Sequence, residues 1–128
     1  PAMGGLIIGQ ETARALGVRH YFTERVEGLM TLRRGFMLKP GERVLVIEDV
    51  VTTGKSTKEV FEVIRAAGAE VLAAGSIVDR SEGRSGLGVP YAALWDVSAP
   101  SWKPADCPEC KAGRPVIKPG SRMEPKHG

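Results

Sequence analysis

Residues 43–80 alternate two chemistries in a fixed order, and that order restricts the fold more than anything else in the chain. RVLVIEDV is an apolar run too continuous for a strand with one wet face. TTGKST follows, a short loop of hydroxyl residues around a single glycine. The next stretch has helical spacing: Val60, Ile64 and Ala67 line one face, Ser56 and Glu59 have capping-box spacing, and Gly68 supplies a stop. AEVLAAGSIVDR is then a second apolar strand. Strand, helix and strand in succession predict an α/β fold, a mostly parallel sheet with helices on its faces.

The flanking segments fit around this unit. GGLIIGQETARALG is predicted helical, with Ile8, Ala15 and Leu16 at helical spacing and Gly17 as the stop. Val18 to Thr23 is β-rich and strand-like. Glu24 to Glu42 is polar, carries Arg25, Arg33 and Arg34, and reads as a long loop or a loose hairpin, a length usually tied to function. VPYAALWDV is a further strand with Pro90 at its mouth. From Pro100 onward proline recurs, and the tail is expected to be irregular. Residues 1–99 are therefore expected to form the core, and 100–128 a C-terminal tail of the same domain.

With 128 residues, one domain is the default. Hydrophobic residues at 42% and charged residues at 26% are ordinary for a globular protein. No run approaches the ~18 apolar residues of a membrane span, and no signal peptide is visible, so a cytoplasmic protein is expected. The net charge of +3 suits an anionic ligand but is too scattered to argue for nucleic acid. The start, PAMGGLIIG, reads as the middle of a chain or as residues left by cloning.

TTGKST invites comparison with the nucleoside-triphosphate P-loop, whose pattern needs a glycine five positions before the Gly-Lys pair. Asp49 stands there, so the match fails. The loop is still a phosphate site by position, because it joins a parallel strand's C-terminal end to a helix N-terminus, where free N–H groups and the helix dipole favour an anion. Thr52, Thr53, Ser56 and Thr57 add hydroxyl donors, and Gly54 allows close backbone approach. Glu48 and Asp49 would repel phosphate, so they are expected to face sugar hydroxyls or Mg²⁺. A phosphate beside a diol describes a ribose 5-phosphate. The plainer alternative is a solvated strand end with a helix cap.

VLVIEDVVTTGKS resembles, at each defining position, the phosphoribosyl pyrophosphate (PRPP) motif of type I phosphoribosyltransferases: an apolar strand, two acids, two aliphatics, then Thr-x-Gly-x-Ser/Thr. The likeness extends along the chain and narrows to the orotate phosphoribosyltransferase branch. PAMGG resembles that family's pyrophosphate loop, FTERVEGLMTLRRGF its mobile catalytic loop, VDRSEG its Asp-Arg element and CPECKAGRPVIKPGSR its C-terminal segment, the hood. In the family a substantial portion precedes PAMGG, so a fragment or a late start is expected.

The resemblance implies transfer of the phosphoribosyl group from PRPP to N1 of orotate, giving orotidine 5′-monophosphate and pyrophosphate in de novo pyrimidine (UMP) biosynthesis. It implies PRPP contacts from Glu48, Asp49, Val50, Val51, Thr52, Thr53, Gly54, Lys55 and Ser56, and pyrophosphate contacts from Ala2, Met3 and Gly4. It implies orotate contacts from Thr52 and Arg80. Candidate catalytic groups are Asp49, Glu48, Arg25, Arg33 and Arg34. Mg²⁺ is the expected cofactor, carried mainly by PRPP near Asp49 rather than by protein ligands. A homodimer sharing the mobile loop between subunits is implied too, with no nucleic-acid or membrane partner. Many relatives have a Lys-rich stretch with a His in that loop; this chain has neither, which leaves open which arginine meets pyrophosphate.

Two other functions remain: transfer to another nucleobase, and PRPP binding without turnover in a regulator. Arg80 argues for orotate, since a guanidinium grips a planar carboxylate with two hydrogen bonds. Its plainer reading is an ion pair with Asp79 or Glu82. Cys107 and Cys110 supply two ligands where a structural zinc needs four, and His20 and His127 lack pairing spacing. Structural cysteines, reduced or loosely bridged, are expected.

Overall fold

A computed structural model describes residues 1–100 and 102–114. Two compact units divide the chain, Pro1–Ser98 and Ala99–Gly128. In the first, helix α1 (Gly5–Leu16) leads into a hairpin of β1 (Thr23–Val26) and β2 (Leu29–Leu32). Strand β3 (Arg43–Val51), helix α2 (Lys55–Ala66), strand β4 (Glu70–Asp79) and strand β5 (Tyr91–Asp96) follow. The sheet runs β3-β4-β5 with both pairings parallel, as the alternation of elements predicts. In the second unit the described residues hold one short helix, α3 (Pro108–Lys111), with Cys107 and Cys110 as free, half-buried thiols. The part of the C-terminal resemblance beyond residue 114, and His127, lie outside the described residues.

The core is built where α2 meets the sheet. Val60, Phe61 and Ile64 of α2 cluster with Val46, Ala74, Ala69 and Leu87. Phe61 and Val51 are 1% exposed. Side chains of this size each contribute roughly 1.5–3 kcal/mol when fully buried.

Helix α1 buries a different face from the expected one. Gly5, Gly9 and Ala13 are buried, while Leu16 is 59% exposed. The reason is close approach: a Cβ on Gly5 would lie 3.2 Å from the Ile47 carbonyl oxygen, and one on Gly9 2.6 Å from His20 Nε2. Residues without side chains let the helix rest against β3 and His20.

Four further expectations need correction. β3 is not covered on all sides: among the described residues it is an edge strand, and Leu45 and Val50 are 42% and 38% exposed. Residues 18–22 form no strand, because Tyr21 and Phe22 pack around Phe36 instead, with ring centroids at 4.8 and 5.3 Å. The segment from Glu24, read as a long loop or a loose hairpin, is a hairpin at its start, and a tight one. Glu27 and Gly28 both take positive φ, 50° and 85°, which matches the twist of a two-residue hairpin turn. The capping box at Ser56 and Glu59 is absent as well, because α2 begins a residue earlier, at Lys55, with Gly54 as its N-cap.

Candidate functional site

Parallel register pairs Val51 with Asp79, so the C-terminal tips of β3 and β4 lie side by side. The next residue on each strand is therefore delivered to the same edge: Thr52 from β3, Arg80 from β4. The Arg80 N–H donates to the Val51 carbonyl at 2.8 Å. Open parallel sheets take their ligands along this edge.

Thr52, Thr53 and Gly54 connect the β3 tip to α2. Thr52, Thr53 and Lys55 are exposed, Ser56 is half-buried, and Gly54 and Thr57 are buried. No side chain caps the helix, and no acid occupies its first turn. Thr53 Oγ1 accepts the Lys55 N–H in a long 3.3 Å contact. By position, the other N–H groups of the first turn have no partner inside the helix. Together with the positive end of the dipole they form a place for an anion. Gly54 sits at φ 72°, where a side chain is strained, and a Cβ there would also lie 2.8 Å from Leu87 Cδ2 and 2.9 Å from the Ser85 carbonyl oxygen.

The acid pair meets the N-terminal segment. A Cβ on Gly4 would fall 1.9 Å from Asp49 Oδ2, and one on Gly5 3.3 Å from Glu48 Oε2. Residues 1–5 and 48–49, far apart in sequence, are thus one site. The Ala2 N–H donates to the Thr23 carbonyl at 2.7 Å and anchors this segment; the Ala2–Met3 peptide bond is cis. Glu48 is 9% exposed, and its Oε2 has no hydrogen-bond partner, although the Pro1 amine lies 3.4 Å away. Burial pushes the Glu48 carboxyl above its ordinary value; the Pro1 amine opposes the rise and the Asp49 charge adds to it.

The hairpin arginines are engaged elsewhere. Arg25 pairs with Glu59 on α2 and donates to the Gly28 carbonyl at 2.7 Å. Arg33 and Arg34 share Glu24, at 3.4 and 3.1 Å. The hydrogen bond from Arg34 holds the Glu24 carboxyl below its usual value. Among the described residues none of the three makes a hydrogen bond or ion pair with residues 52–56. Arg80 differs: it is exposed and makes no ion pair among the described residues. Its two expected acidic neighbours are already used, since Asp79 Oδ1 accepts the Ser81 N–H at 2.6 Å and Glu82 pairs with Arg84 at 2.7 Å.

A groove of about 770 Å³ lies beside β3, lined in part by Gly9, Ala13, Val46, Ile47, Ile64 and Leu72. Pro1 and Gly5 also line it, but none of residues 48–57 does. Among the described residues no three His, Cys, Asp or Glu side chains gather as a metal-holding group, and no helix is long and apolar enough to cross a membrane.

Sequence reasoning missed the supports of this site. Thr23, Ser85 and Leu87 have no motif of their own; they matter only because the chain folds them against Ala2 and Gly54.

The profile of the phosphoribosyl transferase domain matches residues 1–102. An orotate phosphoribosyltransferase of Pelotomaculum thermopropionicum is 58% identical over 122 residues, which is 95% of this chain and 64% of that protein. The one from Thermotoga maritima is 54% identical over 122 residues, covering 95% of this chain and 65% of its own. The chain thus spans just under two thirds of the length of these relatives. Among solved structures, orotate phosphoribosyltransferase from Aeropyrum pernix matches with a TM-score of 0.62 at 30% identity, over 75% of this chain and 57% of that one. An adenine phosphoribosyltransferase matches with a TM-score of 0.64 at 21% identity, over 73% and 63%, a likeness of fold alone. Because the domain match covers most of the chain, including the acid pair, the loop at 52–56 and the sheet that presents them, the chain belongs to the phosphoribosyl transferase domain family.

Proposed function

We propose that this chain carries the PRPP- and orotate-binding core of an orotate phosphoribosyltransferase, which forms orotidine 5′-monophosphate and pyrophosphate. The observation that supports orotate is the uncommitted Arg80 guanidinium, one strand away from Thr52. Orotate carries a carboxylate that other nucleobases lack, and a free guanidinium at the ligand edge suits it.

In this reading the 5-phosphate sits on Thr52, Thr53, Gly54, Lys55 and Ser56, after the apolar Val50 and Val51. Asp49 and Glu48 accept hydrogen bonds from the ribose hydroxyls. Ala2, Met3 and Gly4 lie against the pyrophosphate, and Thr52 with Arg80 holds the base. N1 of orotate then bonds to ribose C1 as the C1–O bond to pyrophosphate breaks, through an oxocarbenium-like transition state, and the N1 proton leaves to solvent or to the departing pyrophosphate. Positioning and charge stabilisation do most of the work.

Mg²⁺ fits this site as a passenger of the substrate, because it is commonly held by one or two carboxylates plus phosphate oxygens, and Asp49 is the carboxylate available. When bound it neutralises charge on the pyrophosphate. We also place the enzyme in the cytoplasm as a homodimer, with the β1–β2 hairpin serving the neighbouring subunit. That use of Arg25, Arg33 and Arg34 requires them to leave Glu59 and Glu24.

The test is an assay of the chain with PRPP, Mg²⁺ and orotate, followed by loss of orotate absorbance, with uracil and adenine in parallel. Turnover with orotate alone supports the reading. Turnover with another base overturns the choice of orotate, and PRPP binding without turnover of any base points to a regulator.

A further inference from the structure

We propose that Leu87 is a positioning residue for the phosphate loop, and that the segment 81–88 acts as its backstop. This rests on the reading of residues 52–56 as the phosphate subsite. The chain leaves the β4 tip at Arg80, passes over Gly54 and returns to β5. On the way it buries three side chains that have no role in the sheet: Ser81 at 4%, Ser85 at 6% and Leu87 at 7% exposure. The space a Gly54 side chain would need is filled by Leu87 Cδ2 and the Ser85 carbonyl oxygen, at 2.8 and 2.9 Å from the missing Cβ.

Leu87 is itself fixed. It belongs to the same cluster as Val60, Phe61 and Ile64 of α2 and Ala74 of β4. Gly86 and Gly88 on either side take positive φ, 52° and 72°, so the backbone turns sharply at both ends of this residue. One side of Leu87 therefore touches the core that holds α2 in place, and the other touches the glycine that starts α2.

The consequence is pre-organisation. The left-handed conformation of Gly54 decides where the first N–H groups of α2 point, and a glycine is free to leave it. A wall of packed carbon and a carbonyl removes that freedom. Shaving the wall leaves the loop more conformations to lose when a phosphate binds, so affinity falls although no ligand contact has been deleted. Arg80 immediately precedes this segment, so the proposed base contact and the phosphate-loop support are on one stretch of chain.

The experiment measures ribose 5-phosphate binding to the whole chain by titration calorimetry, beside thermal melting, for Leu87→Ala, the gentler Leu87→Val, and Ile64→Val. Ile64 is in the same cluster but ten residues beyond Gly54, about 15 Å along α2. The expected result is a several-fold loss of affinity in Leu87→Val and roughly tenfold in Leu87→Ala, with none in Ile64→Val at a comparable melting shift. Equal affinity loss in Leu87→Val and Ile64→Val, or none in either, would make Leu87 an ordinary core residue and overturn the proposal while the phosphate subsite stands. If Leu87→Ala does not fold, the Leu87→Val comparison decides alone. Absence of binding by the unaltered chain would instead overturn the phosphate subsite, and the proposal with it.

Discussion

Gly4 has no room for a side chain because Asp49 occupies it: a Cβ there would fall 1.9 Å from the Asp49 carboxylate oxygen. The atom in the way belongs to a movable side chain, so the fold can tolerate the methyl group by swinging Asp49 aside. That makes Gly4→Ala a test of the carboxylate's position rather than of stability. It is expected to leave the melting temperature nearly unchanged and to weaken PRPP binding by roughly tenfold, about 1.4 kcal/mol. Asp49→Asn, which keeps the shape and removes the charge, is expected to lower turnover by more than about tenfold on the same scale. Turnover unaffected in both variants would remove the acid pair from the site.

Arg80 is the residue on which the choice of base depends. Charge-assisted hydrogen bonds contribute roughly 1.5–3 kcal/mol each. Arg80→Ala is therefore expected to raise KM for orotate by about tenfold or more, at ~1.4 kcal/mol per decade. KM for PRPP should change much less, because the proposed phosphate subsite is at the start of α2 and not at the end of β4. Lysine at this position should rescue only in part, since a point charge cannot make the paired planar contact. An equal rise in both constants would mark Arg80 as structural and leave orotate without its physical argument.

The two strand-tip acids were legible in the sequence because they interrupt an apolar run; what they touch was not. Nothing in PAMGG says that Gly4 lies on Asp49, since that contact depends on how α1 seats against β3. The seating depends in turn on Gly5 and Gly9, which a search for apolar periodicity passes over in favour of Ile8 and Leu16. Likewise the spacing of Ser56 and Glu59 suggested a cap, yet Gly54 in a left-handed turn starts the helix sooner and leaves its first N–H groups open. The parallel sheet and α2 were legible from the order of elements, whereas Thr52 and Arg80 were joined only through the family resemblance, and their adjacency comes from the strand register. The seat of Leu87 against Gly54 was not legible, because it is a matter of packing that no local pattern records.

The raised Glu48 carboxyl predicts a pH dependence of stability whose sign follows from the shift. Its folded-state pKa is raised, chiefly by burial, so the folded chain holds this proton more tightly than the unfolded chain does. The stabilising contribution is full below the unfolded value of 4.5 and is lost as pH climbs through the raised folded value. Glu48→Gln imitates the protonated form and should erase this slope. Denaturant melts of both proteins across acid to neutral pH test it, and the difference between them isolates Glu48 from the other carboxylates. A constant difference over the whole range would show that Glu48 titrates as it does in the unfolded chain. PRPP affinity should move the opposite way, strengthening as pH rises, because the carboxylate can accept from two ribose hydroxyls through both oxygens, whereas protonation turns one of them into a donor.

The hairpin makes the last prediction, and it concerns competition. Arg25 is held by Glu59, and Arg33 and Arg34 are held by Glu24. All three arginines are exposed, and ion pairs of that kind are weak and screened by salt. A pyrophosphate group brings more negative charge than either glutamate, so it can draw the guanidinium groups away. If the arginines serve pyrophosphate, the glutamates are their resting partners, and removing those partners frees the arginines for the ligand. Glu24→Gln with Glu59→Gln is then expected to tighten PRPP binding a few-fold, whereas Arg33→Ala with Arg34→Ala weakens it and lowers turnover. Ribose 5-phosphate, which lacks the pyrophosphate, should bind all these variants alike. Calorimetry with the two ligands separates the cases. Equal changes for PRPP and ribose 5-phosphate would mean that the hairpin pairs only hold β1 and β2 against α2, and that the charge stabilising the leaving group comes from elsewhere.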